Sequence, residues 1–236
     1  VNFRRVMERV QAVVKAIEPH DSVERFTELG VDCVSGNASI ISPWEVEVNG
    51  KRITARNIVI ASGARARVPD IPGLAALDYL TSDTLWDIRE APSRLLVMGA
   101  GPIGCELAQA FSRLGTEVVL VSHGKRILPR EDEEVSAQVL AAFERDGVSV
   151  HCQYEAKRFE AREQGQYCIF DSPGGEQELI FDRVLVSVGR SANTEGLGLE
   201  KLGIAVNKNG TIEVDDKLRT AVPTILACGD IVGPYM

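Results

Sequence analysis

The chain has 236 residues, a formal net charge of -8 at pH 7 and 44% hydrophobic residues. This length allows one large domain or two, and the acidic charge argues against nucleic acid or an anionic membrane as the main partner. No apolar run approaches the length of a membrane span and no signal-peptide pattern precedes the first predicted helix, so we expect a cytoplasmic protein.

The beginning of the chain predicts a helix and then a small antiparallel unit. Apolar residues recur at helical spacing over Phe3–Ile17, which predicts an amphipathic helix that needs a partner surface. Further on, apolar and polar residues alternate over Trp44–Val48. The dipeptide Asn49-Gly50 comes next and is a strong signal for a tight hairpin turn.

A further strand is predicted before the centre of the chain. Ile58–Ala61 is an apolar run that predicts a buried strand, and Ser62-Gly63-Ala64 follows it. Pro69, Pro72 and Gly73 then predict an irregular crossover, of the kind that connects two domains.

The centre of the chain carries the most informative pattern: an apolar strand, a glycine turn and a helix. Leu95–Met98 is too short for a typical helix and is typical of a parallel strand covered on both faces. Gly99 suits the tight turn that must follow, Gly101 allows the main chain to approach a pyrophosphate, and Gly104 allows the helix to lie close to the strand. Free amides and the helix dipole at this end stabilise a bound phosphate.

The same helix is predicted to carry an apolar stripe and to stop at Gly115, before a buried strand over Val118–Val121. Its stripe consists of Ile103, Leu107, Phe111 and Leu114. A glycine pattern alone also fits an ordinary turn between packed elements. Here strand, turn, helix, stop and second strand occur in order, which favours a dinucleotide-binding site.

The rest of the chain predicts one more helix and several strands. A helix is expected over residues 131–145, a strand begins at Val148, and Tyr167–Phe170 and Leu179–Phe181 form a hairpin. Val184–Val188 returns to the sheet. The final strand, Ile225–Cys228, leaves the Asp230 carboxylate near its carboxyl end, where parallel sheets bind ligands.

The cysteines and histidines show no metal-binding or redox spacing. All five cysteines lie in or beside apolar stretches, so we expect five small buried thiols: Cys33, Cys105, Cys152, Cys168 and Cys228. The three histidines are scattered, and we predict no metal site.

Taken together, the motifs resemble a known family. Six segments carry the resemblance: Ile60–Gly63 with Pro69–Gly73, Ser82-Asp83, Gly99–Glu106, Arg126–Pro129, Val188–Arg190 with Asn193, and Ala227–Asp230. In this order they resemble the pyridine nucleotide-disulfide oxidoreductases, and within that family the mercuric reductase and dihydrolipoamide dehydrogenase branch.

The resemblance implies an α/β fold in which a Rossmann-type NAD(P)-binding domain, a parallel sheet with an antiparallel hairpin, is inserted into an incomplete FAD-binding domain. The implied FAD-binding parts are residues 1–91 and the returning segment 218–236, and residues 92–217 form the NAD(P)-binding domain. The parent enzyme is expected to be a homodimer through a C-terminal domain.

The resemblance also assigns expected roles to individual residues. Glu106 would be catalytic, close to the meeting point of nicotinamide and flavin, and Asp230 would hold a ribityl hydroxyl of FAD. The other expected cofactor-binding residues are Gly99, Gly101, Pro102, Ile103 and Gly104 at the turn, Ala61, Ser62 and Gly63 near the adenosine half of FAD, Gly189 and Arg190 over the nicotinamide nucleotide, and Gly229. Each polar residue has a plain alternative: Glu106 as a helix-surface acid, Asp230 as a turn carboxylate and Arg190 as a surface cation.

Departures from the family pattern are equally informative. The FAD fingerprint strand, a Cys-x4-Cys redox pair and a His-x4-Glu pair are all missing from the sequence. We therefore expect a central fragment of such an enzyme, with weak or absent flavin binding, whether the truncation is natural or not.

The preferred nicotinamide nucleotide is left open by the sequence. Ser122 stands where an acidic residue would accept hydrogen bonds from the ribose of NAD and repel the phosphate of NADP. Lys125, Arg126 and Arg130 nearby would attract a 2′-phosphate or simply form a solvated loop. Gly104 as the third glycine resembles the NAD pattern instead.

The implied reaction is transfer of a hydride from NAD(P)H to FAD and of two electrons to a redox disulfide and a substrate. Two alternatives stay open. One is a thiol-free flavoprotein reductase of the ferredoxin or quinone reductase type, and the other is a nucleotide-binding module without turnover.

Overall fold

The computed structural model of the chain describes residues 1–233. These residues form four α-helices: α1 (Phe3–Ile17), α2 (Val23–Glu28), α3 (Pro102–Arg113) and α4 (Glu133–Asp146). They also form fourteen strands: β1 (Ala38–Ser42), β2 (Glu45–Val48), β3 (Lys51–Thr54), β4 (Ile58–Ile60), β5 (Ala64–Ala66), β6 (Arg94–Met98), β7 (Glu117–Ser122), β8 (Ser149–Cys152), β9 (Glu155–Arg162), β10 (Gly165–Ser172), β11 (Gly175–Phe181), β12 (Arg183–Val186), β13 (Arg190–Ala192) and β14 (Ile225–Ala227).

The chain divides into two compact units, and each is built from two separate segments. The first unit consists of Val1–Val14 and Ala66–Gly189, and the second of Lys15–Arg65 and Arg190–Met236. These boundaries differ from the positions 91/92 and 217/218 expected from the family resemblance. Which cofactor each segment binds stays a prediction, and residues 234–236 of the expected returning segment lie outside the described residues.

The first unit is organised around a parallel sheet with the strand order β12-β6-β7-β8. The central strand β6 pairs with β12 on one side and with β7 on the other. Side chains along a strand point alternately to opposite faces. Leu95 and Val97 accordingly pack with α3, α4 and the start of α1, whereas Leu96 and Met98 pack with the antiparallel strands. Burial on both faces explains why β6 is apolar throughout.

A three-stranded antiparallel sheet, β11-β10-β9, completes the first unit. Its hairpin β10–β11 confirms the pairing predicted for residues 167–170 and 179–181. The α/β fold with a parallel sheet and an antiparallel hairpin is therefore confirmed. Strand β9 escaped prediction because charged side chains dominate it and Phe159 is its one fully buried residue.

The second unit contains a small meander and a parallel strand pair. Strands β1, β2 and β3 form the predicted antiparallel unit, and both residues of the Asn49-Gly50 turn have positive φ, 53° and 76°. Two central residues of positive φ are what a type I′ hairpin turn requires. Strand β4 pairs in parallel with β14. The expectation that β4 is fully buried is wrong for Val59, which is 59% exposed.

The predicted α-helices lie at the expected positions, but fewer of their apolar residues are buried than the sequence predicts. Helix α1 covers the expected residues, although only Phe3 and Met7 on it are buried. In the described part of the chain, no helix is both long and apolar enough to cross a lipid bilayer.

Candidate nucleotide-binding site

The glycine turn after β6 brings backbone segments closer together than side chains would allow. Gly99 has a φ of 104°, and a Cβ built there would lie 2.4 Å from the carbonyl oxygen of Ser187. A Cβ on Gly104 would lie 1.9 Å from the carbonyl oxygen of Gly99. Such distances exclude any side chain unless the backbone moves. Both glycines are therefore required for the packing of α3 against the sheet.

Gly101 differs from these two glycines because a Cβ there would meet no atom within 4 Å. Gly101 is the N-cap of α3, and no side chain caps this helix end. Pro102 lacks an amide hydrogen, so the amides of Ile103 and Gly104 are the first donors of the helix, and they have no intrahelical acceptor. Open space, free donors and the positive end of the helix dipole together fit an anionic group.

A cavity of about 750 Å³ lies beside this turn, entirely within the first unit. It is bounded by the carboxyl ends of β6 and β7 and by residues of the antiparallel sheet. Met98, Gly99, Ser122, His123, Tyr154 and Val188 are among its lining residues. The volume falls in the usual range of small-molecule sites, which is roughly 300–1,000 Å³. Ligands of parallel α/β sheets bind at this edge of the sheet.

Ser122 occupies the end of β7, where the sequence places it. The residue is 8% exposed, and its hydroxyl oxygen accepts a hydrogen bond from the amide of Gly124 at 3.1 Å. It lines the cavity. A buried hydroxyl at this position offers a ribose one hydrogen-bonding group and adds no charge.

Arg126 has a different environment from the one that a phosphate-binding role would require. Its guanidinium donates to the carbonyl oxygens of Leu128 at 3.1 Å, Pro129 at 3.1 Å and Glu131 at 2.8 Å. Among the described residues that line the cavity, neither Lys125 nor Arg126 is found. Arg126 therefore holds its own loop together.

The residues expected near the reacting rings lie in different units. Glu106 is an exposed residue in the first half of α3, in the first unit, and does not line the cavity. Gly189 ends the first unit and Arg190 begins the next segment of the second. The guanidinium of Arg190 donates to the carbonyl oxygen of Ala64, and its Nε lies 3.5 Å from Oδ2 of Asp230. Arg190 is thus paired with the residue expected to bind the ribityl chain.

In the second unit, the expected FAD-binding residues follow two adjacent strands. Ala61, Ser62 and Gly63 come directly after β4, while Gly229 and Asp230 follow β14. Because β4 and β14 are parallel, both groups lie at the same sheet edge.

Asn193 joins the turn after β4 to strand β13. Its side-chain amide donates to the carbonyl oxygen of Ser62 at 2.9 Å, and the Ser62 hydroxyl donates to the carbonyl oxygen of Asn193 at 2.9 Å. The half-exposed Asp230 carboxylate nearby can accept hydrogen bonds from a hydroxyl-rich ligand. A carboxylate that accepts hydrogen bonds from hydroxyl groups fits the polar chain of a flavin cofactor.

Several lining residues of the cavity were not identified from the sequence. Arg67 and Ile71 belong to the crossover, Tyr154 lies between β8 and β9, and Asp171 belongs to β10. The prolines and Gly73 marked the crossover as a domain connection, but no periodic signal indicated that it folds against the carboxyl ends of distant strands.

The expectation of five buried thiols is only partly correct. Cys105 and Cys168 are buried, whereas Cys33 is exposed. Burial raises the pKa of the Cys105 thiol to about 11, so this thiol stays protonated at neutral pH. Among the described residues, no group of three His, Cys, Asp or Glu side chains is arranged to hold a metal ion.

A parallel sheet, a glycine turn and a cavity at the carboxyl ends of the strands are together typical of dinucleotide-binding α/β proteins. Residues 4–236 match the family described as pyridine nucleotide-disulphide oxidoreductase. The chain belongs to this family, whose enzymes use FAD and NAD(P)H.

Individual relatives agree with this assignment. The chain is 34% identical to a mercuric reductase of Staphylococcus aureus over 234 residues, which is 99% of this chain and 43% of that protein. It is 34% identical to a dihydrolipoyl dehydrogenase of Thermus scotoductus over 86% of this chain and 45% of that protein. The solved structure of the HOCl-induced flavoprotein disulfide reductase RclA from Escherichia coli superposes with a TM-score of 0.88 at 29% identity, over all of this chain and 54% of that one. The chain thus spans about half the length of the relatives it matches.

Proposed function

We propose that this chain binds NAD(P)H in its first unit, as part of an FAD-dependent oxidoreductase that passes electrons from the nicotinamide nucleotide to a redox disulfide and a substrate. One observation carries the nucleotide site: Gly99, which lines a cavity of about 750 Å³, belongs to the same turn as Gly101, whose Cβ position is open, and as the free amides at the start of α3. When bound, FAD would accept the hydride from the nicotinamide nucleotide and pass two electrons to the redox disulfide.

The expected nucleotide-binding residues of the first unit have separate roles in this proposal. The pyrophosphate would receive hydrogen bonds from the amides of Ile103 and Gly104, while Gly99 and Pro102 fix the turn and the start of the helix. Ser122 would bind the adenosine ribose. Glu106 is proposed to lie near the nicotinamide ring in the complete enzyme.

The residues of the second unit are proposed to bind FAD. Asp230 would accept a hydrogen bond from a ribityl hydroxyl, and Ala61, Ser62, Gly63 and Gly229 would allow the cofactor to approach the strand ends. Arg190, which pairs with Asp230 at 3.5 Å, would fix the position of that carboxylate. Homodimerisation and a cytoplasmic location are further parts of this proposal and rest on the family resemblance.

Calorimetric titration of the purified chain with NADH and with NADPH tests the nucleotide site. We expect at least one of the two to bind, and tighter binding of NADPH would mean that the end of β7 around Ser122 accepts a 2′-phosphate. Binding of neither nucleotide would contradict the proposal. Dye reduction by NAD(P)H with added FAD separates an enzyme from a binding module.

Substitution of Gly101 tests the position of the pyrophosphate. A Gly101→Val side chain would enter open space in the free protein, so its unfolding temperature should match that of the wild type while nucleotide affinity falls at least about tenfold by steric exclusion. Gly233→Val is the control, because Gly233 lies in the second unit and a Cβ there meets only side-chain atoms at 3.5 Å or more. Unchanged affinity in Gly101→Val would show that the pyrophosphate binds elsewhere.

A further inference from the structure

Arg67 is a cation at the edge of the cavity whose side chain has no partner among residues 1–233. The residue is exposed and lines the cavity. Within residues 1–233, its guanidinium makes no hydrogen bond and no ion pair. Arg94 and Arg126, by contrast, use their guanidinium groups on protein oxygens. Arg67 therefore presents five unused N–H donors to whatever occupies the cavity.

The backbone fixes where Arg67 stands relative to the glycine turn. Its amide donates to the carbonyl oxygen of Gly189 at 2.9 Å, and Gly189 lies just beyond the end of β12. Strand β12 is the direct neighbour of β6, and adjacent strands are about 4.8 Å apart. An arginine side chain is long enough to cover that distance, and Arg67 and Gly99 line the same cavity.

Ser122 lies further away, because it ends β7 on the opposite side of β6. The site of a 2′-phosphate, beside Ser122, is therefore two strands from the Gly189 carbonyl. The space over Gly99, where a pyrophosphate is expected, is one strand away. The strand order favours contact between Arg67 and the pyrophosphate.

The charges around the cavity also favour an anion at Arg67. Among the described residues that line the cavity, Arg67 is the single lysine or arginine, and Glu155 and Asp171 are the carboxylates. The Asp171 carboxylate is already paired with Nζ of Lys157 at 2.5 Å. Arg67 thus supplies the permanent positive charge, and its planar guanidinium matches two phosphate oxygens at once.

We propose that Arg67 is a second phosphate-binding group of the nucleotide site and donates to the pyrophosphate from the side opposite the amides of α3. This inference rests on the proposed nucleotide function. The crossover between Ala64 and Gly73 would then bind the ligand as well as connect two parts of the chain. The positively charged contact with the nucleotide phosphate would come from Arg67 in place of Arg126.

The test compares adenine nucleosides and nucleotides that differ only in the number and position of their phosphate groups. The purified chain and three variants, Arg67→Ala, Arg67→Lys and Arg145→Ala, are titrated calorimetrically with adenosine, adenosine 2′-monophosphate and ADP. Arg145 is an exposed arginine of α4 that does not line the cavity, so its variant is the matched control. We expect Arg67→Ala to weaken ADP binding about tenfold, as for loss of one charged hydrogen-bonding group, and to leave adenosine binding unchanged. Arg67→Lys should restore part of the loss.

Each other outcome overturns the inference. If the wild type binds ADP and Arg67→Ala binds it equally well, the nucleotide site stands and the role of Arg67 is wrong. An equal loss for adenosine and ADP would show a packing role, and a loss confined to adenosine 2′-monophosphate would place Arg67 at the ribose. If the wild type binds none of the three ligands, both the nucleotide site and the inference are wrong.

Discussion

Gly104 shows how a single residue sets the distance between helix α3 and the parallel sheet. The predicted stripe of Ile103, Leu107, Phe111 and Leu114 is only partly correct, because Phe111 alone of these is buried. The face that meets the sheet instead carries small residues: Gly104, Cys105 and Ala108. Close approach of a helix to a strand leaves no room for large side chains, so the buried face is rotated relative to the most apolar one.

Gly104→Ala should therefore destabilise the first unit. Its Cβ would lie 1.9 Å from the carbonyl oxygen of Gly99, and a backbone atom of a buried turn cannot move aside without displacing β6. We expect the free energy of unfolding, measured by urea denaturation, to fall by about 3 kcal/mol. Gly101→Ala is the control and should lower it by only about 1 kcal/mol or less, since that Cβ enters open space and only the preference for glycine over alanine at the N-cap is lost. Equal stability of the two variants would contradict the packing described here.

At the residue scale, the sequence predicted backbone requirements better than side-chain partners. The glycine spacing predicted a close turn because glycine has no side chain to fit, a property that belongs to the residue itself. The partners of Arg190 were not predictable in this way. The Ala64 carbonyl that it contacts is 126 residues away in sequence, and such a pair is fixed only by the pairing of β5 with β13 in the folded protein.

At the scale of elements, Asp182 connects the start of β6 to the turn between β11 and β12. One of its carboxylate oxygens accepts a hydrogen bond from the backbone amide of Arg94 at 2.8 Å. The other accepts from the Arg94 guanidinium at 2.6 and 3.2 Å. The side-chain hydrogen bonds from Arg94 are the main cause that lowers the pKa of Asp182 below its ordinary value. Ionised Asp182 therefore stabilises the folded state.

The sign of this pH effect follows from the lowered pKa. The stabilisation by Asp182 is fully present above its ordinary pKa of 3.8 and is lost as the pH falls through the lower pKa of the folded protein. We expect Asp182→Asn to unfold at a lower temperature than the wild type at pH 7, with the difference shrinking below pH 4. Thermal unfolding followed by circular dichroism between pH 7 and pH 3 measures this.

Asp21→Asn, at an exposed position outside any ion pair between described residues, serves as the control and should follow the wild type. A difference between Asp182→Asn and the wild type that stays constant down to pH 3 would show that the charge of Asp182 does not act in this way.

Element prediction succeeded where burial is reflected in local composition. Strands β6 and β7 are apolar because both faces are covered, and β10 and β11 flank a Pro-Gly-Gly turn, so their local sequences were sufficient. Strand β9 follows neither rule. Its outward side chains form ion pairs with the other two strands of the sheet, such as Arg162 with Glu178 of β11 at 2.6 Å. These partners are far apart in sequence and become neighbours only in the folded sheet.

At the scale of the whole molecule, the first unit includes a segment that is distant in sequence from the other residues of the unit. Residues Val1–Val14 belong to it together with Ala66–Gly189. The ring centroids of Phe3 and Phe111 are 5.7 Å apart. Sequence patterns are local, so they indicated that α1 needs a partner surface without identifying that surface.

Phe3→Ala should consequently destabilise the first unit, although Phe3 lies more than ninety residues before the parallel sheet. Removing a buried phenylalanine that packs on Phe111 is expected to lower the free energy of unfolding by about 3 kcal/mol. Val14→Ala on the same helix is the control, because Val14 is 52% exposed and its change should stay within about 0.5 kcal/mol.

The two tryptophans allow the first unit to be observed by itself. Trp86 lies in the first unit and donates through its indole N–H to the carbonyl oxygen of Ser82 at 2.7 Å, whereas Trp44 lies in the second unit. In a Trp44→Phe background, the fluorescence of Trp86 during urea denaturation therefore reports only the first unit. A midpoint that shifts to lower urea in Phe3→Ala, but not in Val14→Ala, would establish that the start of α1 stabilises the first unit. Equal midpoints would contradict a stabilising contact between Phe3 and Phe111.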